Sequence, residues 1–201
     1  MYNDIRKMID KVKNFNIIIN ENVNSNIKLG VDFLYKQHPE LSNIGTPEQY
    51  SEYLDSIFPD SKVKNILYHR SPEKFDIFDK TKIKKTNNRR FYFSPFDTGR
   101  YGQHVILVVL NIRNLAKPGN DEFINDVKRK HPEYTEGKSQ WFSLSAQIYA
   151  NADKYGYDGV FDFEGTNDDE YSVYEPEQIH ILGSRKDIEG FTSFVNNLSK
   201  I

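Results

Sequence analysis

Three short stretches carry the side chains on which chemistry could be built. Leu67-Tyr68-His69-Arg70-Ser71-Pro72 holds an imidazole, a guanidinium and a hydroxyl; Arg90-Phe91-Tyr92-Phe93-Ser94-Pro95 runs on to Tyr101-Gly102 and supplies phenols; Asp168-Asp169-Glu170-Tyr171-Ser172-Val173-Tyr174 supplies carboxylates. Each places polar or aromatic groups at the end of a β-rich run. Singly, each has a plain structural reading: a histidine after a strand is commonly a satisfied surface or core residue, paired tyrosines commonly pack, and Glu170 sits in an acidic turn that water can solvate. What is missing narrows the chemistry further. Cysteine is absent, which removes disulfides, thiolate zinc sites and cysteine nucleophiles together, and the five scattered histidines offer no clustered metal set, so no metal is expected. No G-x-G-x-x-G or Walker loop is present, so a nucleotide would have to be held another way.

One stretch could meet phosphate. Between Lys74 and Arg100 stand eight basic residues (Lys74, Lys80, Lys82, Lys84, Lys85, Arg89, Arg90, Arg100) against three acids (Asp76, Asp79, Asp97). A solvated loop and a phosphate-binding loop are equally compatible with that run. The chain as a whole carries 27 Lys and Arg against 29 Asp and Glu, a formal charge of −2, which argues against whole-molecule attraction to nucleic acid or membrane. No run approaches the roughly 18 apolar residues of a membrane span, and the N-terminus is amphipathic with no continuous apolar stretch. A soluble protein of a reducing, cytoplasmic interior, with nothing to cleave, is expected.

The elements that must position these groups come in two textures. The 201 residues suit one domain plus an appendage. Residues 1–60 read as a helical segment packing on the rest: Ile5, Met8, Ile9, Val12 and Phe15 recur at helical spacing, as does a set from Ile27 to Leu34 before the His38-Pro39 turn. Thr46-Pro47-Glu48-Gln49 predicts a helix start, with Thr46 as cap and Gln49 reaching back, and Tyr50, Tyr53, Leu54 and Ile57 share the face that follows. Residues 61–201 read as one compact β-rich unit. Strands are expected at Val63–Tyr68, Phe91–Phe93, His104–Ile112, Gly159–Phe163, Tyr171–Tyr174 and Gln178–Leu182. Helices are expected at Ser143–Tyr155, ending at Gly156, and after Ser184, with Ile188, Phe191, Phe194, Val195 and Leu198 as its stripe. Gly119–Lys138 reads as a polar surface excursion. Strands and helices without βα alternation indicate an α+β fold with a mostly antiparallel sheet core.

The order and separation of the three stretches resemble the ADP-ribosyltransferase superfamily, in its His-Tyr-Glu branch of diphtheria-like toxins and poly(ADP-ribose) polymerases. That branch has a strand ending in His-Gly-Ser/Thr, a Gly-Ile/Phe-Tyr-Phe strand followed by a helix with a second tyrosine, and a strand beginning Glu-Tyr-Val-Val-Tyr. The counterparts here are His69-Arg70-Ser71, Arg90-Phe91-Tyr92-Phe93 with Tyr101, and Glu170-Tyr171-Ser172-Val173-Tyr174. Tyr101-Gly102 before the Val105–Leu110 run, Gly156-Tyr157-Asp158-Gly159-Val160, and Glu175-Pro176-Glu177-Gln178-Ile179 extend the likeness over about residues 46–183. It looks most like the domains of that type in phage polyvalent proteins and related mobile elements. The resemblance implies the split, mostly antiparallel sheet core of that superfamily and a glycosyltransferase that moves ADP-ribose from NAD to an acceptor, releasing nicotinamide.

The resemblance also implies roles. His69, Tyr101 and Glu170 would be catalytic. His69 would bond a ribose hydroxyl of the adenosine half, the Arg70 backbone and Ser71 hydroxyl would clasp the carboxamide, and Tyr92 and Tyr101 would sandwich the nicotinamide ring. Ser94 and Arg90 would also face the cofactor, and a cation of the Lys80–Arg90 loop would neutralise the diphosphate. Glu170 would bind the nicotinamide ribose, orient the acceptor and stabilise the developing cation. NAD is then a co-substrate, with no metal. The acceptor is a macromolecule, a protein in preference to a nucleic acid, and no membrane is involved; oligomeric state leaves no signature. The chain's short length without an accessory binding domain favours single transfer over polymer synthesis, in a free-standing effector.

Arg70 and Arg90 stand at two positions where the branch has glycine. A side chain at Arg70 must point outward if the backbone there is to approach a ligand. The same two residues keep a second reading open, an inactive relative that binds a nucleotide, nucleic acid or partner protein.

Overall fold

The structure, a computed structural model, describes residues 26–83, 90–117, 125, 129, 152–162 and 170–200. Its centre is the apolar run Ile106-Leu107-Val108-Val109-Leu110, buried along its whole length. A strand with both faces covered needs no polar alternation, which is why this run shows none. It lies in β3 (His104–Leu110), flanked on both sides by antiparallel neighbours, β1 (Leu67–Ser71) and β7 (Ile179–Ile181). A second sheet has the order β2-β6-β5-β4, formed by β2 (Phe91–Phe93), β4 (Leu115–Ala116), β5 (Gly159–Asp162) and β6 (Glu170–Val173). Its pairings are antiparallel except β4 with β5. With three α-helices among the described residues, α1 (Val31–Gln37), α2 (Pro47–Ile57) and α3 (Arg185–Leu198), the fold is α+β and rich in antiparallel sheet.

The period of two along β3 separates two cores. Leu107 and Val109 face the helices and join Val31, Leu34, Leu41, Tyr50, Leu54 and Phe191; Ile106, Val108 and Leu110 face the second sheet and join Phe91, Phe93 and Val173. The helices are placed as their sequences dictate. At α2 the Thr46 hydroxyl accepts from the Gln49 amide at 3.3 Å and the Gln49 side chain accepts from the Thr46 amide at 2.9 Å, a complete capping box. Ser184 caps α3, whose Phe191 is fully buried while Leu198, at 39% exposure, leaves the stripe.

A buried polar node joins the helices to the sheet. Asp187, at 0% exposure, accepts from Tyr50 Oη at 2.5 Å, from the Gly183 amide at 2.8 Å, and meets His180 Nε2 at 2.7 Å. The Tyr53 hydroxyl donates to its carbonyl at 3.2 Å. Burial first, then the Asp187 charge, raises the Tyr50 hydroxyl above the ordinary phenol range, so it remains a donor.

Several elements differ from expectation. The strand predicted over 63–68 begins at Leu67 and runs to Ser71. Before it, the chain is held by single bonds instead of a ladder: the Ser61 hydroxyl donates to Leu110 O at 2.6 Å, and the Lys62 backbone amide to Ile112 O at 2.6 Å. Residues 152–155 form a single 3-10 turn ending at Gly156 (φ 81°), and the rest of that predicted helix lies outside the described residues. So do the predicted helix at Ile5–Phe15 and nearly all of Gly119–Lys138. The two-residue β4 was not expected at all.

Because Asp187 satisfies buried donors from α2, the β7 strand and the turn before α3, Asp187→Ala should lower the unfolding free energy by roughly 3 kcal/mol or more. Urea unfolding measures it; a loss under about 1 kcal/mol would show that the node carries little of the stability.

Candidate functional site

Among the described residues one backbone bridge links the two sheets. Tyr68 and Ser94 form an isolated antiparallel bridge, with the Tyr68 amide donating to Ser94 O at 2.8 Å and the Ser94 amide to Tyr68 O at 2.9 Å. Beyond it β1 and β2 do not pair in a ladder, and a side chain spans them: His69 Nδ1 bonds the Tyr92 carbonyl at 2.9 Å. A carbonyl only accepts, so Nδ1 carries the proton and Nε2 keeps its lone pair. The imidazole packs against Phe75, Phe78 and Phe93 at 5.9, 5.1 and 5.6 Å between ring centres. Burial pushes its pKa below the ordinary histidine value, against the opposing effect of the Tyr92 bond.

Alternation in the second sheet sorts the remaining residues. Tyr92 is paired with Ser172 and Phe93 with Tyr171; one further step of that register sets Glu170 opposite Ser94. With neighbouring strands about 4.8 Å apart, Glu170 lies one strand from Ser94 and two from Tyr68. Tyr92, Ser94, Glu170 and Ser172 therefore share one face, while Phe91, Phe93 and Val173 supply the core side. On the polar face the Ser94 hydroxyl is buried and has no hydrogen-bond partner among the described residues. Leaving such a group unsatisfied costs about 1–3 kcal/mol, which a bound ligand would recover.

The two arginines at expected glycine positions go to opposite duties. Arg90 was expected to face the cofactor. It is 4% exposed, donates from Nη1 to Ser172 Oγ at 2.9 Å, and its guanidinium stands 5.1 Å from the centre of the Tyr92 ring. It buttresses Tyr92 from within the sheet face. The cations left at the surface nearby are Lys80, which pairs with Glu175, and Lys82. Lys84, Lys85, Arg89 and the acidic pair Asp168-Asp169 lie outside the described residues. Arg70, by strand alternation, points to the face opposite His69. It grips Asp97 with two bonds, Nε to Oδ1 at 2.5 Å and Nη2 to Oδ2 at 2.7 Å, and gives Nη1 to the Gly102 carbonyl at 2.7 Å. Ser71 is buried, its hydroxyl accepting from the Glu73 amide at 3.2 Å.

The second tyrosine departs furthest from expectation. Residues 95–103 form bends and no helix. Tyr101 is 72% exposed at φ 69°, and among the described residues no ring packs on it, so the sandwich with Tyr92 is not made. The structure thus sets Tyr92, Ser94 and Glu170 on one face of the second sheet and the His69 imidazole on the other, against Phe93, joined to Tyr92 through its carbonyl, and leaves Tyr101 exposed on the 95–103 loop.

Asp97, Phe75 and Phe78 were not singled out by sequence. Asp97 counted only as one acid in a basic run, and the two phenylalanines, three apart in a polar stretch, were the available signal. They also wall an open groove of about 640 Å³ that includes Ile77, Lys80, Glu175 and Pro176; neither Tyr92 nor Glu170 lines it. This hollow therefore lies on the His69 side of β2, and not over Tyr92 or Glu170. Among the described residues no group of three His, Asp or Glu could hold a metal, and no helix is long and apolar enough to cross a membrane.

Comparison of the chain with family models, with curated proteins and with solved structures gives no significant match.

The environment of His69 sets a pH signature. Its folded pKa lies below the unfolded value of about 6.5, so the folded protein binds fewer protons there. Stability from this residue should be full above pH 6.5, fall as pH drops toward the folded value, and then level. NMR titration of the ring nitrogens should find a depressed pKa and the Nδ1-protonated tautomer, and His69→Phe should abolish that limb of the stability profile. A ring titrating at or above 6.5 would contradict the burial argument.

Proposed function

We propose that this chain is an NAD-dependent mono-ADP-ribosyltransferase that transfers ADP-ribose to a macromolecular acceptor, a protein in preference to a nucleic acid, with release of nicotinamide. The observation that carries the reading is the joining of three stretches across adjacent strands: His69 bonds the Tyr92 carbonyl from the Phe93 side of β2, while Tyr92, the unsatisfied Ser94 hydroxyl and Glu170 share the other face. His69, Tyr92 and Glu170, 23 and 78 residues apart in sequence, follow the order of the His-Tyr-Glu pattern. The fold reading that goes with it is the split sheet of the ADP-ribosyltransferases, which two sheets joined by one bridge support.

The chemistry follows from the groups available. Breaking the bond between nicotinamide and the ribose C1′ builds positive charge on the sugar, and the Glu170 carboxylate is the anion placed to stabilise it. The neutral Nε2 of His69 accepts from a ribose hydroxyl, Tyr92 stacks on the nicotinamide with Arg90 behind its ring, and Ser94 Oγ supplies a hydrogen bond. The acceptor nucleophile bonds C1′ and gives up its proton, taken by Glu170 or water. Nicotinamide leaves with the bonding pair of the glycosidic nitrogen.

A second reading, an inactive module of the same build that holds a nucleotide, nucleic acid or partner protein, is favoured by one fact: Tyr101 does not stack on Tyr92. The two readings separate on incubation with labelled NAD and host lysate. Transfer, or at least NAD hydrolysis, should be seen with wild type and fall about 100-fold or more in Glu170→Gln. Calorimetric binding of NAD without turnover would select the inactive module, and neither binding nor turnover would end the NAD reading altogether.

A further inference from the structure

The 97–102 loop is strained and tied down at once. Tyr101 is the only non-glycine residue of positive φ among the described residues, a left-handed conformation that costs an L-residue roughly 1–2 kcal/mol. It sits between Gly99 (φ 70°) and Gly102 (φ 149°). Gly102 lies directly on β1: a Cβ there would come within 2.1 Å of the Ser71 carbonyl carbon. A non-glycine residue held at such a φ persists only where its surroundings over-determine it. Here they do so through one side chain. The Arg70 fork takes both oxygens of Asp97 at one end of the loop and the Gly102 carbonyl at the other, and Asp97 Oδ1 also accepts from the Gly99 amide at 3.0 Å. Three charge-assisted bonds from one guanidinium therefore bracket Tyr101.

We propose that Arg70 is a positioning residue: it clamps the loop through Asp97 and Gly102 so that Tyr101 is presented, ring outward and preset, from the point where the loop docks on the end of β1 at Ser71. This rests on the transferase reading, in which Tyr101 closes on the nicotinamide ring. It turns the departure at Arg70 from a defect into a device, since the side chain lies off the face that carries His69 and restrains the very residue that the ligand must recruit. Preordering that loop reduces the entropy lost on binding, so the clamp acts on affinity for NAD more than on the chemical step. Lysine cannot replace it, because a point charge cannot hold both carboxylate oxygens and a carbonyl in one plane.

The experiment has two arms on the same variants, Arg70→Ala, Arg70→Lys and Asp97→Asn. In the first, amide hydrogen exchange is followed in the NAD-free protein. The clamp predicts exchange at Gly99 and Tyr101–Gly102 faster by about tenfold or more in Arg70→Ala, less in Arg70→Lys, with the β2 amides and the melting temperature little changed. In the second, NAD consumption is measured: KM should rise about tenfold while kcat changes less than about threefold, with only partial recovery in Arg70→Lys. Unchanged loop exchange would overturn the clamp whatever the activity. Faster exchange with an unaltered KM would overturn the positioning role. A wild type that neither consumes nor binds NAD would defeat the transferase reading, and Arg70's role toward NAD with it, while the exchange arm would still decide whether the loop is restrained.

Discussion

Two backbone hydrogen bonds between Tyr68 and Ser94 decide how the polar residues of β1 and β2 stand to one another. Had β1 and β2 zipped into a full ladder, the strands would have formed one continuous sheet with His69 and Tyr92 buried in its hydrogen-bonding plane. Instead pairing occurs at one point and the strands part. That parting leaves backbone groups of both strand ends in need of partners, and the Tyr92 carbonyl finds one in the His69 imidazole. The same parting gives the Ser94 side chain a buried position with nothing to bond.

What prevents the two strands from closing is the pair of cores. The β1 strand is committed to β3 along five residue pairs, Leu67 with Val108 through Ser71 with His104. The β2 strand is committed to β6 along three. Ile106, Val108 and Leu110 must meet Phe91, Phe93 and Val173 face to face, which sets the sheets apart as packed layers. The helices then cover the outer face of the first sheet, through Leu107 and Val109, and the Asp187 node fixes them to it. Moving β1 onto β2 would break one core to extend one ladder. A ladder bond adds only about 1 kcal/mol net, against the roughly 1.5–3 kcal/mol of each large apolar side chain, so the cores prevail.

How much of this was legible in the sequence depended on how local the signal was. The capping box of Thr46 and Gln49, the β2 boundaries, the long apolar β3 and the cap at Ser184 are written in a few adjacent residues, and they stand where pattern and chemistry put them. The division of seven strands into two sheets is not local, and neither is the single bridge. Arg90 shows the limit well. In sequence it belongs to a basic run and reads as surface charge, yet its position two residues before Tyr92 places it on the same sheet face, where Ser172 and an aromatic ring receive it. Its burial follows from strand alternation, but only once β2 is known to pair with β6. Tyr101 could not have been read either, because a positive φ outside glycine is imposed by contacts, here those of Arg70 through Asp97 and Gly102.

The two arginines at expected glycine positions bear on function through the space they occupy. A bulky residue beside a ligand's path blocks it only if its side chain lies on the ligand's side. Arg70 alternates with His69 along β1, so its side chain leaves by the other face and is consumed there by three bonds. Arg90 does lie on the Tyr92 face, but it is nearly fully buried and sits against the ring, so it adds to the wall of the site without standing in its opening. A cation against an aromatic face also draws on the ring's electron density, worth about 2 kcal/mol when desolvated, and fixes the ring's orientation. Arg70 leaves by the face of Tyr68, the partner of Ser94, so what keeps its bulk from that face is its three bonds to Asp97 and Gly102. Tyr101 is the residue that these bonds leave without packing: 72% exposed, it is held at a positive φ by a loop whose two ends are fixed through Arg70.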